Sequence, residues 1–423
     1  MGESDNSDEI SARISALSQE QRELLSRKLR QKGIAVESVT QRPETSRSNA
    51  ADTKHQAATA SPPAATAKEL AFSLFFFSGN GETTERKKYD LIIECAKFAD
   101  RHGFIAVWTP ERHFKPFGGL YPNPSVLSAA LSMVTQRIHL RAGSVVLPLQ
   151  NPVRTAEEWS AVDNLSDGRV GVAFASGWHP DDFVLAPDVY PQRRELMFDE
   201  IQTIKHLWKG GAVSLRNGAG EEVEVRIYPN PLQAELPIWI TAGSRETFVN
   251  AGRLGANVLT GLIEHGIDGC AEKIAAYRHA LEENGHDPRE RCVTVMLHTY
   301  VGEDTAAIKQ KVRRPFCAYL RSFLQMSERQ LSEDVRRDLS LGALDATDQE
   351  ALLLHAFESY FDARALFGTP GDCERMINRL RGIGVDEVAC LLDFGLDTES
   401  ILEGLSYLNI LRENTQRHLP GAA

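Results

Sequence analysis

Eight short apolar runs, separated by stretches of helical periodicity, recur between residues 70 and 391, and this alternation constrains the fold more than any other feature of the chain. The runs are Leu70–Phe77, Phe104–Trp108, Ile138–Leu147, Val170–Ala175, Pro237–Thr241, Ala256–Leu259, Val293–Val301 and Val385–Leu391. They are apolar almost throughout, as strands are when both faces of a sheet are covered. Helices are expected between them, for instance at Tyr89–His102, Arg154–Leu165, Arg193–Trp208, Gly269–Asn284 and Asp372–Gly382. Such alternation predicts βαβ units, and eight of them predict a closed α/β barrel of the TIM type, (β/α)8. Two interruptions are expected: a hairpin at 212–228 and a long helical insertion from about Asp304 to Phe367. An open doubly wound sheet is the competing topology. Gly79-Asn80-Gly81 after the first strand favours it, but Thr84 stands where a dinucleotide fingerprint needs its third glycine.

The region before the barrel has a different composition. No Phe, Trp or Tyr occurs until Phe72. Ile14, Leu17, Leu24, Leu25 and Leu29 follow helical spacing, with Ser18 and Gln21 as a capping box and Gly33 as a stop. Gln41–Thr66, rich in Ala, Ser, Thr and Pro, reads as a flexible linker. The expected organisation is therefore a short helical segment (1–40), a linker (41–67), the barrel (68–415) and a tail (416–423).

A net charge of −11 among 423 residues argues against nucleic-acid binding. The six cysteines lack paired spacing, which suits a reducing compartment with free thiols rather than a disulfide frame or a zinc site. The acidic, polar start MGESDNSDEI does not read as a secretory signal, and Asn6 does not suit myristoylation of Gly2. No apolar run approaches the length of a membrane span, so a cytoplasmic protein is expected.

In a parallel barrel, function gathers at the C-terminal ends of the strands. One such end, VGVAFASGWHPDDF (Val170–Phe183), breaks from apolar residues into Ala175, Ser176 and Gly177, small enough for a flat ligand to touch the backbone, then Trp178 and His179. Another, VWTPERHF (Val107–Phe114), delivers Glu111, Arg112 and His113: an acid/base pair beside a fixed positive charge, or an Arg–Glu ion pair with a bonded histidine. His179, before a proline in a polar loop, fits either a proton-handling role or plain exposure, and His298 reads as a core histidine. The turn Thr241-Ala242-Gly243-Ser244 before a helix fits either an anion site built on free amide groups or an ordinary βα turn capped by Ser244. The strand ends mix aromatic and small residues with few ionisable ones, which suits a large planar ligand. No HxH, HExxH or carboxylate cluster points to a metal.

These segments, together with GSVVLPLQNPVRTAEEWSAVDNLSDGRVGVAFASGW (Gly143–Trp178) and FGTPGDCERMINRLRGIGVDEVACLLDFG (Phe367–Gly395), resemble the bacterial luciferase-like, flavin-dependent monooxygenases over roughly Leu70 to Glu413. The barrel looks closest to the subgroup of secondary-metabolite gene clusters, often fused to nonribosomal peptide or polyketide synthase modules. LSQEQRELLSRKLRQKGI (Leu17–Ile34) resembles short helical linkers of such assembly lines. The resemblance implies a barrel that binds reduced FMN and reacts it with O2, giving a flavin C4a-peroxide that transfers one oxygen atom to an acyl, aminoacyl, peptide or polyketide-type substrate, free or carrier-bound. By the same resemblance the phosphate would rest on Thr241, Ala242, Gly243 and Ser244, and the ring against Ser144, Ala175, Ser176 and Gly177. The Gly143–Ser144 peptide would be cis. Arg112 would stabilise the peroxide charge, while His113, with Glu111 and His179, would move the proton. Arg112 stands where luciferases carry a catalytic histidine, and Ala175 replaces their reactive cysteine, so light emission is not expected. A separate flavin reductase, a synthase or carrier protein at the N-terminal helix, and a second copy of the chain are the expected partners. The alternatives are a deazaflavin-dependent oxidoreductase without oxygen chemistry and a non-catalytic assembly-line accessory.

Overall fold

Alternation along a single strand shows how this sheet divides its side chains. In β1 (Ala71–Phe75), Phe72 and Leu74 point outward into a core shared with the helices. Ser73 and Phe75 point inward. The computed structural model describes residues 69–77, 88–262, 266–328 and 346–417. The expected N-terminal helix and linker, Gly79-Asn80-Gly81, and tail residues 418–423 lie outside them.

After β1 come α1 (Asp90–Arg101), β2 (Ala106–Thr109), α2 (Pro124–Ser132), β3 (His139–Val146), α3 (Pro152–Ser166), β4 (Val170–Ala175) and α4 (Arg193–Trp208). A hairpin of β5 (Val213–Arg216) and β6 (Glu222–Val225) stands apart from the main sheet. The barrel resumes with β7 (Ile238–Thr241), α5 (Arg245–Leu254), β8 (Asn257–Gly261), α6 (Gly266–Glu283) and β9 (Val293–Val301). The insertion contributes α7 (Thr305–Glu328), α8 (Ala346–Ala363) and β10 (Leu366–Gly368). The chain then returns through α9 (Pro370–Gly382), β11 (Glu387–Leu391) and α10 (Thr398–Arg417). The ring runs β1-β2-β3-β4-β7-β8-β9-β11 and closes from β11 to β1, with every neighbour parallel. It is the closed TIM-type barrel, and the open doubly wound sheet is excluded.

Local chemistry sets most boundaries. Asn123, Asn151 and Thr369 cap α2, α3 and α9, each followed by a proline whose missing N–H costs a helix start nothing. Several expected strand ends shift by one or two residues, and two of the shifts have a visible cause. The second strand starts at Ala106 rather than Phe104, because the Phe104 N–H closes the end of α1 on the Ala99 carbonyl at 3.3 Å. The first ends at Phe75 rather than Phe77, whose N–H bonds the Asp393 carboxylate at 2.8 Å. Among its described residues the insertion is helical over Thr305–Glu328 and Ala346–Ala363, and Leu366–Gly368 adds a strand beside the top of β9.

The N-terminal end of the barrel is plugged by charge. Glu387 is fully buried and pairs with Arg141 Nη1 at 2.7 Å, while Ser73 Oγ and Trp108 Nε1 donate to its other oxygen at 2.5 and 3.1 Å. The Arg141 guanidinium lies 4.4 Å from the Trp239 ring and 5.0 Å from that of Trp108. A desolvated ion pair holds only when its remaining hydrogen bonds are made, as they are here. Among the described residues no helix is long and apolar enough to cross a membrane.

Candidate active site

At the opposite, C-terminal end of the strands lies a cavity of about 290 Å³. Phe75, Phe77, Val146, Trp178, Leu259 and Met296 form its apolar wall, and small residues bring backbone to its surface at Gly143, Ser144, Ala175, Gly177, Ala242 and Gly243. Two of these glycines have a physical reason. A Cβ on Gly143 would stand 2.7 Å from the Phe75 ring. One on Gly177, whose φ is +75°, would stand 2.8 Å from both Phe183 and Val146. The Gly143–Ser144 peptide is cis, and the β3–β4 register shifts between Gly143 and Val145. Ser144 Oγ accepts from Thr241 Oγ1 at 2.9 Å.

One end of the cavity is built around the turn that follows β7. Thr241, Ala242 and Gly243 line it, and Thr260 Oγ1 fixes the turn by donating to the Ala242 carbonyl at 2.7 Å. Ser244 caps α5 by accepting from the Thr247 N–H at 3.2 Å and does not border the cavity. The capped-turn reading is therefore correct for Ser244, while the backbone just before it still faces the cavity. Lys273, which the sequence reading missed, reaches over from α6 to donate to the Gly243 carbonyl and lines the same end. An ammonium group, a helix start and exposed backbone at one point suit an anionic group such as a phosphate. The small-residue cradle beyond suits a flat ring. These residues therefore fit a flavin mononucleotide.

The other end is aromatic with a charge inside it. The Arg112 guanidinium lies 4.7, 5.6 and 5.7 Å from the rings of Phe77, Trp178 and Phe117. Burial pulls its pKa below the ordinary value, and the nearby Asp182 charge opposes that pull. Among the described residues Glu111 pairs with His113 rather than with Arg112, contrary to one sequence reading. Glu111 instead accepts from His113 Nε2 at 2.9 Å, from Gln150 Nε2 at 2.6 Å and from the Val146 N–H at 2.7 Å. Glu111 and Arg112 border the cavity; His113 stands behind Glu111.

His179 is buried, 3% exposed, rather than exposed in its loop. Its Nδ1 accepts from the Asp181 N–H at 3.2 Å, so the neutral ring carries its proton on Nε2, which has no partner among the described residues. Burial lowers its pKa and raises that of Asp182, which the sequence reading left without a role. Neither His179 nor Ser176 borders the cavity. The structure thus gathers Glu111, Arg112, Ser144, Ala175, Gly177, Thr241, Ala242 and Gly243 around one space and leaves His113, Ser176, His179 and Ser244 beside it. His298 is a core residue, as its strand position suggests, bonded through Nδ1 to the Tyr360 hydroxyl at 3.0 Å.

The family model described as luciferase-like monooxygenase matches residues 69–387. The chain belongs to the luciferase-like monooxygenase family. It is 28% identical over 342 residues, 78% of this chain and 91% of the other, to the flavin-dependent trigonelline monooxygenase oxygenase component of Acinetobacter baylyi. It is also 28% identical to an alkanal monooxygenase alpha chain of Photorhabdus luminescens, over 52% of this chain and 61% of that one. Among solved structures, the oxygenating constituent of 3,6-diketocamphane monooxygenase of Pseudomonas putida, a Type II Baeyer–Villiger monooxygenase in complex with FMN, shares the fold. Its TM-score is 0.64 at 17% identity, over 84% of this chain and all of that one. The coenzyme F420 dependent tetrahydromethanopterin reductase of Methanopyrus kandleri shares it too, with a TM-score of 0.61 at 16% identity, over 83% of this chain and all of that one. This luciferase-like protein is an enzyme of the flavin-dependent monooxygenase class.

Proposed function

We propose that the cavity seats reduced FMN and that the protein is the oxygenase half of a two-component system, its flavin reduced by a separate reductase. The reading rests on one observation: the Thr241–Gly243 turn with Lys273, the Gly143/Ser144 and Ala175/Gly177 cradle and the Arg112 guanidinium border a single cavity. Thr241, Ala242, Gly243 and Lys273 would hold the phosphate of FMN, and Ser144, Ala175 and Gly177 would take its ring, with Ser176 and Ser244 beside them. When bound, the reduced flavin supplies the electrons with which dioxygen gives one atom to the substrate and one to water. Arg112 holds a fixed positive charge where oxygen-centred negative charge develops, among rings that exclude water. Glu111, which borders the cavity, and His113, bonded to it from behind, are the pair that moves protons, while His179 lies beside them with its Nε2 enclosed. The trigonelline monooxygenase relative is itself an oxygenase component, which supports a reductase partner here.

The substrate is proposed to be an acyl, aminoacyl, peptide or polyketide-type molecule, free or carrier-bound, on the strength of the assembly-line likeness of Leu17–Ile34. Turnover with chemically reduced FMN under oxygen, without reductase, tests the reading by a mass gain of one oxygen atom. Failure of both oxidised and reduced FMN to bind at sub-millimolar concentration overturns it. A second reading, hydride transfer by a deazaflavin, draws support from the coenzyme F420 dependent relative in fold. Substrate turnover without oxygen uptake would select it.

A further inference from the structure

The insertion between β9 and β10 sends one described side chain into the cavity, that of Tyr319 on α7. Its ring is clamped on three sides. Phe316 stacks at 5.9 Å with 12° between planes, Phe117 lies at 5.3 Å, and His298 meets it edge-on at 4.5 Å. The residue is 4% exposed, and its hydroxyl has no hydrogen bond among the described residues. Nor is that hydroxyl one of the sealed, unpartnered polar atoms. The oxygen therefore reaches open space, and the space that Tyr319 borders is this cavity. Burial raises its pKa above the ordinary phenol value, so the hydroxyl keeps its proton at working pH and can donate.

Of the polar side chains that border this end, Arg112 and Tyr319 can offer hydrogens, and the carboxylate of Glu111 accepts them. Arg112 can only donate, and the two Glu111 oxygens already take three hydrogens from His113, Gln150 and the Val146 amide. Around them stand Phe77 and Trp178. A ligand complementary to this end is apolar, compact and tipped with an oxygen that accepts hydrogen bonds. One tipped with an ammonium group would set a second positive charge beside that of Arg112 in a site walled by aromatic rings, a like-charge contact that binding sites reject.

Resting on the flavin reading above, we propose that Tyr319 is a specificity-determining residue that donates to the acyl oxygen of the substrate, so that the enzyme selects compact aromatic or unsaturated acyl groups. The acyl oxygen can belong to a free carboxylate or to a thioester, and the test separates them. FMN-loaded protein is titrated with benzoate, a benzoyl thioester of N-acetylcysteamine, benzylamine and toluene, with binding read by calorimetry and flavin absorbance. Benzoate, the thioester or both should bind at least tenfold more tightly than benzylamine; which of the two binds identifies the source. Tyr319→Phe keeps the ring clamp and should weaken the acyl probes about tenfold, while leaving FMN and toluene affinity unchanged. A general packing defect would weaken toluene as well. Equal binding of benzylamine, no binding of either acyl probe, or an unaltered acyl affinity in Tyr319→Phe overturns the proposal. Lack of FMN binding by the unaltered protein instead overturns the flavin reading, and acyl binding that still depends on Tyr319 would survive it.

Discussion

Acid should weaken this barrel through His298. The residue has no exposed surface, and its ring is edge-on to Phe316, Tyr319, Tyr360 and Phe394 at centroid distances from 4.5 to 5.8 Å. Its Nε2 has no partner among the described residues. Burial pushes its pKa down to about 3. In the unfolded chain the same imidazole titrates near about 6.5. Between those values the unfolded state holds a proton that the folded state lacks, so stability falls as pH falls. Each unit below the unfolded value costs about 1.4 kcal/mol, so at pH 4.5 this residue alone removes roughly 2.7 kcal/mol. His139, pushed down to about 4 chiefly by burial, acts in the same direction and is left in place. The perturbation is a double replacement, His298→Leu with Tyr360→Phe, which removes both partners of the 3.0 Å bond and orphans neither. Urea unfolding at pH 6.5 and 4.5 should show a stability difference smaller in the double variant by roughly 2–3 kcal/mol. An equal difference in both proteins would refute the reasoning, because His298 would then not be held neutral by its surroundings.

Four further outcomes follow from other parts of the molecule. Arg141→Met strands the buried Glu387 carboxylate and should cost about 3–5 kcal/mol in denaturant unfolding, with most of it recovered by adding Glu387→Met. Gly177→Ala combines a positive φ with overlap on Phe183 and Val146 and should cost roughly 2–4 kcal/mol, with weaker FMN binding by fluorescence titration. Lys273→Ala removes a charged donor from the Gly243 turn and should weaken FMN about tenfold or more, while riboflavin, which has no phosphate, binds unchanged. Arg112→Ala should leave FMN affinity largely intact and divert oxygen consumption to free hydrogen peroxide; retained coupling would give Arg112 a structural role only.

The barrel was legible because a strand covered on both faces must be apolar along its whole length, and eight such runs leave little choice. Strand ends were not, since Phe104 and Phe77 are as apolar as their neighbours and only the Ala99 carbonyl and the Asp393 carboxylate take them out of the ladder. The small-residue cradle could be read because a missing side chain is visible in a sequence. Lys273 could not: a lysine one turn into a helix looks solvated until the helix is set against the Gly243 turn. Tyr319 was hidden in the same way, inside an insertion whose helical pattern says which residues are apolar but not which one meets the ring of Phe117. His179 misled because its neighbours in sequence are polar, whereas its burial comes from the folded loop.

The strand β10 carries a lesson for altering this enzyme. By laying Leu366–Gly368 along the upper end of β9, it ties off the excursion that supplies Tyr319, so both ends of that excursion are anchored to one rung of the scaffold. The helices between can therefore be exchanged as a cassette, with selectivity rewritten from outside the ring. Seams placed before Thr305 and after Ala363 would leave the Thr241–Gly243 turn, Lys273 and the small residues of the cavity in the unexchanged part of the chain.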